Sequence, residues 1–184
     1  EAALADEDYQ RLARETARLE YLGADEVDAV RQAVRWSSAR FEYGMSHAFA
    51  AAADWLALHD RARPDEAVAA IAEILGHIAE DVSGGGRFPY AEGAEPWSAP
   101  AFLAAIEAED EAAAIRLVRG ALGGGLGLDD LLPVFAEAAL AHYLSFGHGL
   151  IYTFKAAELI RRLGPDSAAD VLLASCALPA SLRD

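Results

Sequence analysis

The feature that most constrains this chain is an internal repeat, because its second half matches its first with only small gaps. The matched segments are 6–7 with 110–111, 22–27 with 126–131, 43–47 with 146–148, and 63–65 with 164–166. Such a duplication predicts two copies of one supersecondary unit, neither of which buries its apolar face alone. The two copies are therefore expected to pack against each other.

Each copy shows the sequence pattern of three helices and lacks the period-two alternation of strands. The predicted helices span about 6–19, 25–60 and 65–82 in the first copy, and about 110–122, 129–163 and 166–178 in the second. Pro64 and Pro165 mark the starts of the third helices, because proline suits the first turn of a helix and ends the helix before it. Asp25 and Asp129 are well placed to cap the long second helices with their carboxylates.

These patterns predict an all-α fold in which two tandem three-helix repeats pack about a pseudo-two-fold axis. A single domain, 1–184, contains repeat 1 at about 6–82, a linker and short helix at 83–108, and repeat 2 at about 109–180. The linker aromatics Phe88, Tyr90 and Trp97 either form a lid over a pocket or pin a long loop to the body.

The charge of the chain excludes two classes of partner. With 30 acidic against 15 basic residues, the net charge is −15. Such a surface repels phosphate groups, so neither nucleic acid nor an anionic membrane surface is expected as a partner. No apolar stretch reaches the roughly 18 residues that span a bilayer. The only cysteine, Cys176, has no partner for an intrachain disulfide, so we expect a cytoplasmic protein with a buried, unreactive thiol.

Both predicted long helices carry polar residues on the face that looks inward. Residues seven or eleven apart lie on nearly the same side of a helix. That side holds Glu137, His148 and Lys155 beside Tyr152 in the second repeat, and Arg40, His47 and Asp54 beside Tyr43 in the first. The repeat makes His47 equivalent to His148, and Asp54 equivalent to Lys155, which is the only lysine.

Two interpretations of these stripes stay open, because a buried charge must be paired or bound to a metal. In the first, the repeats meet at a metal or catalytic site, with His47 and His148 as ligands and Asp54 or Glu137 supplying oxygen. In the second, the residues form a buried structural network in which Asp54 pairs with Lys155 and the histidines are simply hydrogen-bonded.

The other histidines carry weaker predictions. His142 lies about 120° round the helix from His148, so it joins the cluster only if the glycines at 147 and 149 bend the helix. His77 sits at helical spacing from acidic residues, which is typical of an exposed ion-paired face. His59 stands at a predicted helix end and is expected to be solvated.

The segment from His142 to Leu159 resembles a segment of helical proteins of the questin oxidase-like group, some bacterial relatives of which are joined to a Rieske domain. The likeness covers about 107–178, and the first repeat is a fainter version of it. It implies an all-helical, metal-dependent oxygenase for polyketide-like aromatic substrates, with non-haem iron bound by histidines and, in at least one case, by a modified lysine. His148 and Lys155 match that pattern, and His142 is a further candidate. Rieske ligand pairs are absent from the sequence.

Three functions follow as hypotheses. The first is an oxygenase or related metalloenzyme that binds iron or another divalent metal, with Lys155 as a carbamylated ligand or as the group that orients the acids, and with Tyr152 and Tyr43 lining the pocket. The second is a non-catalytic helical module that binds a small apolar ligand or a partner subunit, which includes a homodimer. The third is metal-free proton transfer, with His148 as the base and Lys155 holding an anionic group.

Overall fold

The computed structural model describes residues 1–82, 85–142 and 147–176, and in these ranges the chain is helical with no β-strand. The all-α prediction is therefore confirmed. Ten α-helices follow in order within these ranges: α1 (Ala2–Ala5), α2 (Tyr9–Tyr21), α3 (Val27–Ser37), α4 (His47–His59), α5 (Pro64–Asp81), α6 (Ala99–Glu107), α7 (Glu111–Gly123), α8 (Leu128–Ala141), α9 (His148–Leu163) and α10 (Ala168–Cys176). Short 3₁₀ turns at Ser38–Arg40 and Pro165–Ser167 follow α3 and precede α10.

Helix α5 shows how the sequence produces these elements. Pro64 begins it, at a position where the missing amide hydrogen costs nothing. Ile71, Ile74 and Ile78 follow at helical spacing and are completely buried, where α5 meets α2, α3 and α4. Burying a side chain of this size contributes about 1.5–3 kcal/mol. This stripe therefore holds α5 at the centre of the first half.

The largest difference from the sequence prediction is that neither long helix is continuous. The first is divided into α3 and α4, and the second into α8 and α9. Gly44 and Gly147 lie at these breaks with φ of 78° and 81°, a left-handed conformation that glycine adopts without steric cost. Counting by sevens and elevens across the breaks was therefore wrong, and Arg40 and Glu137 do not continue the helical faces of the two histidines.

Neither aspartate is the N-cap residue itself, since Glu26 and Gly127 hold those positions, but Asp25 does bind an amide at the start of its helix. Asp25 accepts a hydrogen bond from the amide of Val27, the first residue of α3, at 3.0 Å. At the start of α8, the side chain that bonds back to the preceding backbone amide is Asp130, at 2.8 Å. Asp129 instead pairs with Arg161 of α9 at 2.9 Å, because its place in the first turn points it outward.

Local backbone features recur in the two halves in the same order. Asp8 caps α2 and Asp110 caps α7. Residues with positive φ also correspond, namely Glu7 with Glu109, Gly23 with Gly125, and Gly44 with Gly147. A non-glycine residue with positive φ is uncommon, and these pairs differ from the sequence alignment, since they match Asp110 with Asp8 rather than Asp6 and Gly23 with Gly125 rather than Gly127. The pseudo-two-fold axis stays a prediction.

Helices α4 and α9 run parallel along a shared seam. Three contacts join them, each further along both helices: His47 with His148, Asp54 with Lys155, and Asp60 with Arg162. The residues joined at the first and second contacts are those that the predicted repeat makes equivalent.

The linker is attached to the body along its described part. Its contacts are Phe88 N–H to the Ala39 carbonyl at 2.8 Å, Tyr90 hydroxyl to the Ser38 carbonyl, and Glu95 N–H to the Arg116 carbonyl at 3.0 Å. These contacts support the interpretation in which the linker aromatics pin a loop. Among the described helices, none combines the length and apolar character needed to cross a bilayer.

Candidate functional site

Three aromatic rings meet where α4 and α9 begin. The ring centroids of His47 and His148 are 5.7 Å apart, and each histidine lies 5.6 Å from the ring of Tyr152. The two imidazoles are almost perpendicular, with an interplanar angle of 84°. We call these three residues the ring triangle. It contains the two repeat-equivalent histidines, as the sequence predicted.

The helix starts position both histidines. His47 is the first residue of α4, directly after Ser46, whose hydroxyl accepts the amide hydrogen of Phe49 at 3.4 Å. His148 is the first residue of α9, directly after the left-handed Gly147. The breaks that end the predicted long helices therefore create the two helix termini at which the imidazoles meet.

The three residues of the ring triangle differ in solvent exposure. His47 is exposed, His148 is half-buried, and Tyr152 is only 6% exposed. Burial raises the pKa of the Tyr152 phenol, and the negative charge of Asp81 raises it further. Tyr152 is therefore a neutral phenol at physiological pH, because its ordinary pKa already lies near 10.

Asp81 is a site residue that the sequence reasoning missed. It is the last residue of α5, and its Oδ2 accepts the amide hydrogen of Ala48 in the first turn of α4 at 3.0 Å. A carboxylate at a helix C-terminus is repelled by the negative end of the helix dipole. The charge of Asp81 is therefore not stabilised by its own helix. The positive N-terminal end of α4 provides a partner for it, next to His47.

The charged group of Lys155 is bound by two carboxylates, which agrees with the hypothesis that it orients the acids. Its Nζ donates to Asp54 Oδ1 and to Glu158 Oε2, both at 2.7 Å. These two carboxylates hold the pKa of Lys155 above its usual value. Asp54 is thereby used in an ion pair, which is the pairing that the structural-network interpretation predicts.

Two other predicted ligands lie elsewhere. His142 follows α8, and its Nε2 is 3.0 Å from Glu107 of α6. Glu137 is exposed on α8, because the break before α9 separates its helical face from that of His148. Tyr43, expected to line a pocket, is 64% exposed in the segment before α4.

The remaining histidines differ from each other. His77 is exposed and lies 3.8 Å from Glu73 one turn away, as expected for an ion-paired face. The expectation that His59 is solvated was wrong, since its side chain is only 14% exposed. It lies between Glu26, directly before α3, at 2.9 Å and Asp60 at 3.2 Å.

The predicted five-member ligand set is therefore not assembled. Of its members, His47 and His148 come together, whereas Asp54, Glu137 and His142 have other surroundings. Within residues 1–82, 85–142 and 147–176, no three His, Cys, Asp or Glu side chains converge closely enough to hold a metal ion. The ring triangle thus contains two imidazoles and a phenol. The Asp81 carboxylate is hydrogen-bonded to the first turn of α4.

Comparison with protein-family models, curated proteins and solved structures found no match to this chain. The geometry of the ring triangle is therefore the basis for any functional argument.

Proposed function

We propose that this protein is a metal-dependent enzyme of the non-haem oxygenase type that oxidises an apolar aromatic small molecule at the His47–His148 pair. The 5.7 Å separation of the two imidazole rings supports the proposal. A metal about 2.1 Å from one nitrogen of each ring would hold the ring centres about 5–6 Å apart. The separation of the ring centres falls within this range, and to share an ion the two rings would turn from their near-perpendicular arrangement until one nitrogen of each faces it.

Asp81 is the carboxylate that we assign to the same centre. Its Oδ2 bonds the amide of Ala48, which follows His47 directly. Two imidazoles and one carboxylate are the ligand set of non-haem iron oxygenases, whose iron supplies open positions for dioxygen when bound. Because the three groups do not converge in the structure, this assignment requires the Asp81 side chain to turn toward the ring pair.

Tyr152 is assigned the role of a hydrogen-bond donor. It packs against both imidazoles, is almost fully buried and keeps its proton. A neutral buried phenol donates one hydrogen bond and excludes water from one side of the site. It would therefore orient a polar oxygen of the substrate, while the aromatic ring contributes an apolar wall.

Oxygen uptake by iron-loaded protein tests the function. The protein would be loaded with Fe(II) without oxygen, then exposed to air with a panel of hydroxylated polycyclic aromatic compounds. Wild-type protein and His77→Ala, which removes an exposed histidine outside the ring triangle, are expected to consume oxygen in a compound-dependent way. His148→Ala is expected to lose this uptake. Equal uptake by His148→Ala and wild type would contradict the proposal.

A non-catalytic helical module is the second candidate, and one specific observation favours it. The bond between Lys155 and Asp54 is what a purely structural polar network predicts. In that case the chain binds no metal, and an apolar ligand or a partner subunit raises its melting temperature to the same extent in wild type and in His148→Ala.

A further inference from the structure

We infer that Asp54, Lys155 and Glu158, here called the ionic clamp, set the axial register of α4 against α9 and so hold His47 opposite His148. Lys155 is then a positioning residue rather than a catalytic one. The register itself goes beyond the proposed function, and only its consequence for metal binding rests on that proposal.

The clamp and the histidine pair lie on the same seam. Asp54 follows His47 by two helical turns on α4, and Lys155 follows His148 by two turns on α9. At 1.5 Å per residue, the clamp is about 10 Å along the helices from the imidazoles. A shift of one helix along the other would therefore separate both pairs together.

The α4 side of the seam selects the register only weakly. Between His47 and Asp54, the residues one turn along α4 are Ala50 and Ala51, both half-buried. Small side chains form shallow ridges, so they distinguish poorly between alignments that differ by one turn. Tyr152 of α9 packs against His47 of α4, and the polar contacts add to the distinction between alignments, which is the role best established for polar groups between helices.

The bond lengths of the clamp make it selective. Nζ of Lys155 is 2.7 Å from both acceptor oxygens, and its side chain is only 25% exposed. A one-turn slip of about 5.4 Å would take Asp54 out of hydrogen-bond range of the ammonium. The clamp therefore contributes little to overall stability, as expected for exposed carboxylates, yet it penalises the wrong alignment.

Proton NMR tests the register directly and needs no metal. Nuclear Overhauser effects between ring protons of His47 and His148 would be recorded in wild type and in Lys155→Met, which keeps the apolar stem. Arg161→Met is the matched control, because it removes an ion pair from the same helix to Asp129 on α8 rather than to α4. Asp54→Asn provides a second route to the same loss if Lys155→Met does not fold.

We expect the cross-peaks in wild type and in Arg161→Met, and at least a several-fold loss of their intensity in Lys155→Met and Asp54→Asn at unchanged helix content. Full cross-peaks in the clamp variants would overturn the inference, as would their absence in wild type. Failure of the metal proposal is a separate result, seen as wild-type cross-peaks in a protein that binds no Co(II). If metal does bind, its affinity in Lys155→Met should fall about tenfold, the low end for groups that orient ligands.

Discussion

The imidazoles of His47 and His148 lie edge to face with their centroids 5.7 Å apart, although each begins a different helix in a different half of the chain. Both helices start after a break that contains a glycine of positive φ. The meeting of the two rings thus depends on local backbone chemistry at the breaks and on the seam between α4 and α9. Each of these dependences leads to a measurable expectation.

Replacing Gly147 tests the break before α9. At its φ of 81°, a side chain costs about 1–2 kcal/mol, so Gly147→Ala should lower the free energy of unfolding by about that amount. Gly86→Ala is the control, because its Cβ would meet no atom within 4 Å and its φ is not in the left-handed region. Urea denaturation gives both values, and equal values for the two variants would contradict the account.

Replacing Gly120 tests the attachment of the linker. A Cβ at this position in α7 would lie 1.6 Å from the backbone oxygen of Glu95, so the linker must move. Overpacking of this kind costs about 1–3 kcal/mol or more, and we expect Gly120→Ala to lose at least 2 kcal/mol.

Gly123→Ala is the matched control for Gly120. It lies at the end of the same helix with nothing within 4 Å of a Cβ, so the helix-favouring alanine should leave stability unchanged or raise it by up to about 1 kcal/mol. Thermal denaturation compares the two, and a Gly120→Ala variant as stable as Gly123→Ala would show that the linker does not press on α7.

Replacing Asp81 tests its hydrogen bond to the Ala48 amide at the start of α4. Asp81→Ala removes the oxygen that accepts the Ala48 amide hydrogen, and loss of such a cap costs about 1 kcal/mol. Asp81→Asn keeps an acceptor oxygen and should recover most of that stability while losing the charge. Chemical denaturation measures both, and an Asn variant as unstable as the Ala variant would argue against the capping role.

The ion pair at the far end of the seam predicts a dependence on pH. Hydrogen bonds from Arg162, with a smaller contribution from His59, hold the pKa of Asp60 below its usual 3.8. Because the folded pKa is the lower one, the stabilisation is complete above pH 3.8 and disappears as pH falls through the folded pKa. For a half-exposed pair it amounts to less than about 1 kcal/mol.

The contribution of this ion pair should appear as a difference in free energy of unfolding between wild type and Arg162→Gln. The variant's free energy of unfolding should be lower than that of wild type at neutral pH, and the two values should converge as the pH falls through the lowered pKa of Asp60. Denaturation curves across this range provide the measurement. A gap between the two proteins that stays constant down to pH 2.5 would contradict the assigned ion pair.

Sequence reasoning predicted the helical class, most helix positions and the meeting of His47 with His148. It could do so because apolar spacing and internal sequence similarity are both read directly from the sequence. It failed at the breaks, since a glycine in a helical pattern is compatible with either a bend or a full interruption. Once the breaks are present, faces counted across them no longer align, and so Glu137 was placed wrongly.

The site residues that sequence reasoning missed depend on contacts between distant elements. Asp81 enters the site because the end of α5 meets the start of α4, a relation that no spacing within α5 encodes. His142 pairs with Glu107 of α6 rather than with the other histidines. Glu107 lies in the predicted linker and short helix, outside both predicted repeats. Lys155 was correctly placed on the inner seam, but its neighbour Glu158 gave it a second carboxylate partner.

The most direct test of the central claim is a Co(II) titration of the apo protein followed by visible absorption. We predict d–d bands that saturate at one Co(II) per chain in wild type and in His77→Ala, and that are absent from His47→Ala and His148→Ala with helix content intact. Binding that is the same in wild type and in a His47→Ala/His148→Ala double variant, or no binding at all, would contradict a metal centre at the ring triangle.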